Sequence, residues 1–324
     1  MVSTTKEDLA RARAILDEGG LVAIPTETVY GLAARAFDAR AVASIFERKG
    51  RPRFDPLIVH VAEVGELGRV ARSRPAAVDL LADRFWPGPL TLVLPKAEEV
   101  PALVSAGLDS VGVRVPDHPL TRELLSAVGP LAAPSANRFG RVSPTTVEHV
   151  RAELGEEPEG PFVLDGGPCR TGLESTVLSL LDDRPRLLRP GGVTLEELEA
   201  VLGPVESGVT PATEAPESPG QLASHYAPRT PIVPVTEAEL AGRARPEAGL
   251  LCLRRPPSVE GWGVVEELSA TGDLVEAASR LFAALHRLDA SGLMEIAVLP
   301  VPEEGLGRAI ADRLRRAAVR TRTS

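Results

Sequence analysis

Basic and hydroxyl side chains are concentrated in four short polar segments of the N-terminal half of the chain. The first, residues 25–32, reads Pro-Thr-Glu-Thr-Val-Tyr-Gly-Leu, and the second, residues 49–60, holds Lys49, Arg51 and Arg53. An ammonium group and guanidinium groups at this spacing can grip a polyphosphate from two sides, the lysine as a point charge and the arginine as a fork. Cations that end a helix are also common on solvated surfaces, so this segment alone leaves both interpretations open.

The third and fourth segments carry hydroxyl, amide and arginine groups. Residues 133–145 read Ala-Pro-Ser-Ala-Asn-Arg-Phe-Gly-Arg-Val-Ser-Pro-Thr before a predicted helix, whose free N–H groups favour an anion. Residues 172–177 read Gly-Leu-Glu-Ser-Thr-Val, and Arg189 stands before a Gly-Gly pair one strand later. A plain Ser/Asn turn and a surface arginine are the alternatives here. All four segments border predicted strands, which is where α/β sheets bind their ligands.

Several common catalytic signatures are absent from the sequence. It contains no G-x-x-x-x-G-K-S/T phosphate loop and no G-x-G-x-x-G fingerprint. The motifs of nucleophile-elbow hydrolases, zinc proteases and protein kinases are also missing. Cys169 and Cys252 have the spacing of neither a metal pair nor a disulfide framework. We therefore assign no metal-ligating residue and expect both thiols to be inert.

Composition limits the classes of function. A chain of 324 residues with 44% hydrophobic and 25% charged residues is typical of a globular protein, and its length favours two domains. The net charge of −9 and the 3% aromatic content argue against a protein whose main task is to hold a nucleic acid. No segment has the layout of a signal peptide or the length of a membrane span. The protein is predicted to be cytoplasmic, with no membrane contact.

The order of predicted elements indicates the α/β class, because short apolar runs alternate with amphipathic segments. In the first domain the runs predict strands at 21–24, 57–61, 90–94, 111–115, 131–133, 162–164, 177–181 and 186–188. Helices are predicted to open at three capping boxes, which are Thr4 with Glu7, Thr145 with Glu148, and Thr194 with Glu197.

The predicted domains are residues 1–203, a Pro-rich linker at 204–231 that could act as a lid, and a small α/β unit at 232–324. In the second unit, strands are predicted at 232–235, 250–253 and 296–299, with helices near 274–288 and 307–318. The Arg-rich end, residues 313–322, is expected to be a solvated helix end rather than a nucleic-acid contact.

The motifs, taken in order, resemble the YrdC-type threonylcarbamoyl-adenylate synthases, in the longer form that carries a second C-terminal domain. The motifs are P-T-E-T-V-Y-G-L, K-G-R-P with P-L-I-V-H-V, P-S-A-N with S-P-T, E-S-T-V, L-R-P-G-G and the linker sequence at 218–228. They cover nearly the whole chain. The resemblance implies an open, twisted mixed sheet around a positively charged cavity, followed by a smaller Rossmann-like α/β domain.

The resemblance also implies an activity. L-threonine, bicarbonate and ATP would give threonylcarbamoyl-AMP and pyrophosphate, for the threonylcarbamoyladenosine modification of tRNA. A downstream tRNA threonylcarbamoyltransferase would receive the product, and a weak tRNA contact is possible on the same ground. Two alternatives stay open at this point. One is a non-catalytic RNA-binding protein of the same fold, and the other is carbamoyl transfer, as in a related domain of hydrogenase maturation.

Site residues follow from the same resemblance. Lys49 and Arg51 are implied as the catalytic cations, with Mg²⁺ accompanying ATP. The side chains implied around L-threonine are Thr28, His60, Arg114, Ser135 and Ser175, with Arg114 on the carboxylate. Those implied around ATP are Arg51, Asp55, Asn137, Ser143, Arg189 and, from the linker, Tyr226. The sequence departs from the expected pattern at Asp55, where Asn is expected, and at Gln221, where Met is expected.

Overall fold

The computed structural model describes residues 5–207 and 216–319, which form two α/β units. The strands described in the first unit are β1 (Val22–Ile24), β2 (Gly31–Arg35), β3 (Ile58–His60), β4 (Leu90–Pro95), β5 (Ser110–Arg114), β6 (Leu131–Ala132), β7 (Phe162–Val163), β8 (Thr176–Ser179), β9 (Arg186–Arg189) and β10 (Glu206–Ser207). Its helices are α1 (Lys6–Asp17), α2 (Ala39–Lys49), α3 (Ala76–Phe85), α4 (Pro119–Val128), α5 (Val147–Leu154) and α6 (Leu195–Leu202), with a 3₁₀ helix at Val64–Arg69.

The second unit is smaller. Its strands are β11 (Ile232–Pro234), β12 (Ala248–Cys252), β13 (Val264–Glu267) and β14 (Glu295–Val298). Its helices are α7 (Leu240–Arg243), α8 (Leu274–Ala290) and α9 (Leu306–Ala318), after a 3₁₀ helix at Glu237–Glu239. All pairs in this sheet are parallel, in the order β11-β14-β12-β13. The structure thus confirms a second, Rossmann-like α/β unit.

The large sheet is mixed, as predicted. Over the described residues its strand order is β10-β9-β8-β4-β5-β3-β6-β2-β1-β7. The pairs β3–β5 and β4–β8 are parallel, whereas β4–β5 and β8–β9 are antiparallel. The central strands are buried, and α2 and α3 supply apolar side chains to the main core. These parallel pairs bring residues far apart in sequence to the same end of the sheet.

Three strands were not predicted. One is β13 of the second unit, which pairs with β12. The other two lie in the first unit. Residues 31–35 form β2, which pairs with β1 and β6, although the sequence suggested only a polar turn segment there. Residues 206–207 form β10, which lies inside the predicted linker and pairs with β9 at the sheet edge. The residue patterns of β2 and β10 do not predict strands, because β2 consists mainly of small residues and both residues of β10 are exposed.

Two of the three predicted capping boxes were wrong by one residue. Thr5 and Asp8 form the box that opens α1, whereas Thr4 lies outside the described residues. Thr146 caps α5 by accepting from His149 N, while Thr145 is buried and contacts the His149 ring. Capping at 146 lets Val147 and Val150 face the core, which decides between the adjacent threonines. The third box, Thr194 with Glu197, is confirmed.

The Arg-rich end of the chain is solvated only in part where the structure describes it. Arg315 is exposed as expected, whereas Arg313 is fully buried and Arg316 is 5% exposed. These two arginines project from α9, where Asp312 pairs with both and Glu174 of the first unit pairs with Arg313. Arg320 and Arg322 lie outside the described residues. The sequence did not show which arginines of the helix face the first unit.

The two units share an apolar cluster. Val29, Val142 and Leu173 of the first unit pack with the α8 side chains Leu281 and Phe282 of the second. Apolar burial therefore holds the units together at the edge where the polar segments lie. No helix in the described part of the chain is long and apolar enough to cross a membrane.

Candidate active site

A small cavity lies at the strand ends of the large sheet, beneath the linker. Its volume is about 50 Å³. The five side chains predicted around L-threonine all line it, together with three of those predicted around ATP. In order, these eight residues are Thr28, Arg51, His60, Arg114, Ser135, Ser175, Arg189 and Tyr226. The structure thus brings together groups that are spread over about 200 positions of the sequence.

Strand register explains part of this convergence. β3 and β5 are parallel neighbours, and His60 at the end of β3 is paired directly with Arg114 at the end of β5. Gly31, at the start of β2, forms an isolated bridge with Ser135. Ser175 immediately precedes β8, whose first residue pairs with Leu90 of β4. A slip of one residue would turn each side chain to the other face of the sheet.

Arg114 is held rigidly at the floor of the cavity. Its Nε donates to Gly88 O at 3.1 Å, and its Nη1 donates to Thr28 Oγ1 at 2.9 Å. Its Nη2 donates to the buried carboxylate of Glu27, which also accepts from Asp117 N at 3.0 Å. Glu27 thus supplies a buried counter-charge for Arg114, which is 3% exposed.

Lys49 contacts the third polar segment, as the predicted site requires. Its Nζ donates to Ser135 O at 2.6 Å and to Asn137 O. Burial, and then the neighbouring charge of Arg51, hold the pKa of this amine well below its ordinary value. The side-chain amide of Asn137 donates to Arg138 O at 2.8 Å and to Arg141 O at 2.9 Å. Its buried Oδ1 accepts no hydrogen bond from the described residues.

Arg51 turns back on its own loop. Its Nε donates to Asp55 O at 3.2 Å and its Nη2 donates to Pro56 O at 2.8 Å. Nη2 also lies 2.9 Å from Asp55 Oδ2, in an ion pair that lacks hydrogen-bond geometry. Asp55 is fully buried, and burial raises its pKa against the opposing effect of Arg51, Lys49 and Arg189. Its carboxylate therefore retains acceptor capacity within reach of three cations.

Arg189 connects the fourth segment to the linker. Its Nε and Nη2 donate to Ser175 O at 3.1 and 2.9 Å, and Nη2 also lies 3.2 Å from Ser175 Oγ. Its Nη1 donates to Pro219 O at 3.1 Å. Ser175 Oγ lies 2.8 Å from Thr91 Oγ1. Burial lowers the pKa of Arg189, so an incoming anion would stabilise its charge.

The linker closes the cavity from above. Tyr226 has a φ of 63° and is 1% exposed, with its hydroxyl making no hydrogen bond to the described residues. Ala227 N donates to Gly140 O at 2.8 Å, which fixes the linker on the third segment. Gly220 is needed here, since a Cβ at this position would lie 2.5 Å from Tyr226 Oη and 3.0 Å from Arg189 Cδ.

Four predicted residues do not line the cavity: Lys49, Asp55, Asn137 and Ser143. They lie directly behind it. Lys49 holds the backbone of Ser135, and Asp55 pairs with Arg51, as described above. Ser143 Oγ donates to Glu174, and Glu174 does line the cavity.

Sequence reasoning missed other residues of the site. Glu27 and Glu174 were present in the quoted motifs but received no role, although a buried arginine requires a carboxylate nearby. His225 lies within the linker motif but received no role, and its ring lies 4.2 Å from that of Tyr226. Arg313 was not placed in the site, because its cavity-wall partner Glu174 belongs to a distant segment.

The electrostatics of the site favour an anionic ligand. The buried basic side chains around the cavity are Lys49, Arg51, Arg114, Arg189 and Arg313. The buried carboxylates near them are Glu27, Asp55, Glu174 and Asp312, so five basic groups face four acidic ones. His60 and His225 add no charge, because burial and the nearby arginines hold the pKa of His60 at about 3 and that of His225 well below its ordinary value. Phosphate groups would relieve the excess of positive charge.

The two thiols are not part of this chemistry. Both cysteines are buried, and burial raises the pKa of Cys169 to about 12 and that of Cys252 to about 11. This agrees with the expectation that they are inert. The described residues contain no group of three or more His, Cys, Asp or Glu side chains that could hold a metal ion.

Two family models match adjacent parts of the chain. The Sua5_yciO_yrdC model, described as "Telomere recombination", matches residues 14–191. The Sua5_C model, described as "Threonylcarbamoyl-AMP synthase, C-terminal domain", matches residues 193–319. Both sheets of the structure are thus accounted for by recognised domain types.

Full-length relatives share both units. The threonylcarbamoyl-AMP synthase of Bacillus subtilis is 42% identical over 98% of this chain and 94% of its own length. The protein of the same name from Pyrococcus abyssi is 42% identical over 95% of this chain and 93% of its own. The crystal structure of P. abyssi Sua5 complexed with L-threonine superimposes with a TM-score of 0.88, at 39% identity, covering 96% of this chain and 94% of that one.

We predict that His60 makes the protein sensitive to acid. Its pKa is about 3 in the folded state and near 6.5 when solvated, so the unfolded chain binds an extra proton between these values. Stability is therefore complete above about pH 6.5 and falls as the pH is lowered, by about 2 kcal/mol per such group at pH 5. Urea unfolding of the wild type and His60→Gln at pH 7 and pH 5 measures this.

The variant should lose about 2 kcal/mol less than the wild type between the two pH values. The other buried histidines, among them His149 with a pKa of about 3, are retained in both proteins and cancel in the comparison. Equal losses in the two proteins would show that His60 does not titrate in this way.

Proposed function

The chain belongs to the Sua5/YciO/YrdC family in its two-domain form, and we propose that it makes threonylcarbamoyl-AMP from L-threonine, bicarbonate and ATP in the cavity beneath the linker. Pyrophosphate is the second product, and the adenylate serves the threonylcarbamoyladenosine modification of tRNA. The observation that carries the proposal is the shared cavity itself. It joins a wall of hydroxyl and imidazole groups to a wall of buried cations.

L-threonine suits the hydroxyl-rich wall. Thr28, Ser135 and Ser175 offer hydroxyl groups that both donate and accept, and neutral His60 offers an Nδ1 without a hydrogen-bond partner among the described residues. Arg114 supplies the positive charge for the threonine carboxylate. Its fixed contacts with Glu27 and Thr28 mean that little side-chain entropy is lost when the amino acid binds.

ATP suits the cationic wall. Arg51 of the second polar segment and Arg189 of the fourth both line the cavity, whereas Lys49 lies behind Ser135. Asn137 Oδ1 and Tyr226 Oη are buried polar atoms without partners in the described residues, and a nucleotide would satisfy them. In this proposal Ser143 acts through Glu174, to which it donates.

The reaction needs no protein nucleophile. Bicarbonate takes up a proton and loses water to give CO₂. The threonine amine adds to this CO₂ and loses a proton, which gives a carbamate. A carbamate oxygen then forms a bond to the α-phosphorus of ATP, while the bond from that phosphorus to the bridging oxygen breaks and releases pyrophosphate. Such chemistry depends on positioning and on stabilisation of the developing negative charge. Lys49, Arg51 and Arg189 supply that charge stabilisation.

Mg²⁺ fits the same site as a companion of the nucleotide. Magnesium usually binds one or two carboxylates together with substrate phosphates. Asp55 is the residue suited to this, because neither of its buried carboxylate oxygens accepts a hydrogen bond from the described residues. When bound, the ion would neutralise phosphate charge and favour departure of pyrophosphate. This gives a role to the departure from Asn at this position.

The linker acts as a lid in this proposal. A volume of about 50 Å³ holds a few water molecules but neither ATP nor threonine, since ligand pockets are usually of about 300–1,000 Å³. The linker must therefore move for substrates to enter. Closure over the bound nucleotide would exclude water from a product that hydrolyses readily.

The product must reach an acceptor. A mixed anhydride of a carbamate and AMP is reactive, so we infer that a tRNA threonylcarbamoyltransferase takes it up directly or soon after release. A contact with tRNA itself would be weak, because the net charge of −9 opposes binding of a phosphate backbone.

The proposed activity is tested by pyrophosphate release with each substrate omitted in turn. We expect release to need L-threonine, bicarbonate, ATP and Mg²⁺ together. Release that continues without threonine or bicarbonate would contradict the synthase activity. Retention of RNA through a salt titration, with no turnover of ATP, would favour the RNA-binding alternative instead.

Lys49→Ala and Arg51→Ala should fold but lose most activity. Removal of one charge that stabilises the transition state lowers kcat by roughly 100- to 1,000-fold. The matched control is Arg48→Ala, since Arg48 is exposed, stands beside Lys49 on α2 and donates to Glu159 O. Pyrophosphate release and circular dichroism are measured on all three. Turnover near that of the wild type in Lys49→Ala or Arg51→Ala would remove the assignment of that residue.

Gly220→Ala tests the lid. The new methyl group would meet Tyr226 Oη and Arg189, and the positive φ of 82° adds backbone strain. We expect weaker closure, seen as at least a tenfold fall in kcat/KM for ATP, on the order of 1–3 kcal/mol of overpacking. Gly107→Ala is the control, because Gly107 has the same φ of 82° but nothing within 4 Å of the added Cβ. An equal effect of the two changes would show that closure does not depend on Gly220.

A further inference from the structure

Four buried charged residues form a continuous chain across the interface between the two units. Arg313 Nε donates to Glu174 Oε2 at 2.8 Å, and Arg313 Nη1 donates to Asp312 Oδ2 at 2.8 Å. Arg316 Nε donates to Asp312 Oδ1 at 2.9 Å. Two carboxylates and two guanidinium groups thus alternate and neutralise each other. Glu174 belongs to the first unit, whereas the other three lie on α9 of the second.

This chain of charges supports the cavity from behind. Glu174 is part of the cavity wall, but Arg313 is not. The guanidinium carbon of Arg313 lies 4.8 Å from the centroid of the buried Tyr226 ring, in cation–π contact. Arg316 Nη1 donates to the linker carbonyls of Gln221 and Leu222 at 2.9 and 2.6 Å. One helix of the second unit therefore touches both the wall and the lid.

Glu174 lies between two arginines that serve different purposes. Burial opposes its ionisation, but Arg313 first, then Arg189 and the hydrogen bond from Ser143, outweigh burial and lower its pKa. Its carboxylate is therefore charged, and Arg313 is its ion-pair partner. Arg189 donates instead to Ser175 and to Pro219 O, and no carboxylate of the described residues forms an ion pair with it at the cavity surface.

We propose that Arg313 is a positioning residue for the nucleotide site: by pairing with Glu174 it keeps that carboxylate from neutralising Arg189, and by stacking on Tyr226 it holds the lid. The inference rests on the proposed function, because it assigns Arg189 and Tyr226 to ATP. Arg189 is the other cation that lowers the pKa of Glu174, so without Arg313 an anionic ligand would compete with the buried carboxylate for Arg189. The second unit thereby contributes to the chemistry of the first.

A double-mutant cycle distinguishes this role from one in which Arg313 only holds the two units together. The variants are Arg313→Met, Glu174→Gln and the two combined. Arg315→Met is the control, since Arg315 lies on the same helix, is largely exposed and pairs with Glu303. KM for ATP, KM for L-threonine and kcat are measured by pyrophosphate release. Thermal unfolding is followed in parallel.

Arg313→Met should raise KM for ATP by about tenfold, with KM for threonine changed less than about threefold, as expected when one buried charge pair is broken near the nucleotide. The combined variant also lacks the carboxylate charge, so its KM for ATP should be at least threefold lower than that of Arg313→Met. Recovery is incomplete because Glu174→Gln does not restore the stacking on Tyr226. Arg315→Met should behave as the wild type.

An unchanged KM for ATP in Arg313→Met would overturn the inference, as would a combined variant no better than Arg313→Met alone. Equal changes in both KM values would point to a structural role only, and would also overturn it. If Arg313→Met does not fold, Arg313→Lys replaces it in the cycle. Lysine keeps the charge but cannot reach Glu174, Asp312 and Pro190 O together as the arginine fork does.

The two proposals fail in different ways. A wild-type protein that releases no pyrophosphate in the presence of threonine, bicarbonate and ATP contradicts the proposed function. A wild-type protein that does so, combined with strictly additive effects of Arg313→Met and Glu174→Gln on KM for ATP, contradicts only the role of Arg313.

Discussion

The site depends on keeping several buried cations charged close together. Lys49, Arg51 and Arg189 are all nearly inaccessible to water, and burial alone would favour their neutral or displaced forms. Carboxylates at Glu27, Asp55 and Glu174 compensate part of this charge, but not all of it. The folded protein thus keeps an excess of buried positive charge, which a triphosphate can neutralise. Binding energy from that relief is available to position the α-phosphorus.

Each carboxylate is assigned to a particular cation. Glu27 fixes Arg114 at the end proposed for threonine, whereas Glu174 is fixed by Arg313 of the second unit. These pairings leave Arg189 with backbone carbonyls as partners and its charge directed at the cavity. The specificity of the site therefore depends as much on which charges are neutralised as on which are present. A sheet whose strand ends meet at one edge makes this arrangement possible.

The linker is the part of the proposed site that moves when substrates enter. It carries Tyr226 and Gly220 over the cavity, where Arg316 donates to Gln221 O and Leu222 O, and Ala227 N donates to Gly140 O. Tyr226 also packs in the apolar cluster with Phe282, and Arg313 lies over its ring. Opening would therefore break these contacts as well as hydrogen bonds. Other members of the cluster, among them Leu173 and Leu281, would still hold the two units together.

The sequence by itself determined the α/β class and the second smaller unit, because these follow from local periodicity. Its motifs of adjacent residues established the family resemblance, and that resemblance implied the mixed sheet and the cationic cavity. Tertiary structure decided the rest. It selected Thr146 over Thr145 as the cap of α5, made a strand of residues 31–35, and turned the expected solvated Arg313 into a buried partner of Glu174. The physical reason is that a charge or a cap is stabilised by its partner, and 139 positions separate Arg313 from the carboxylate that it neutralises.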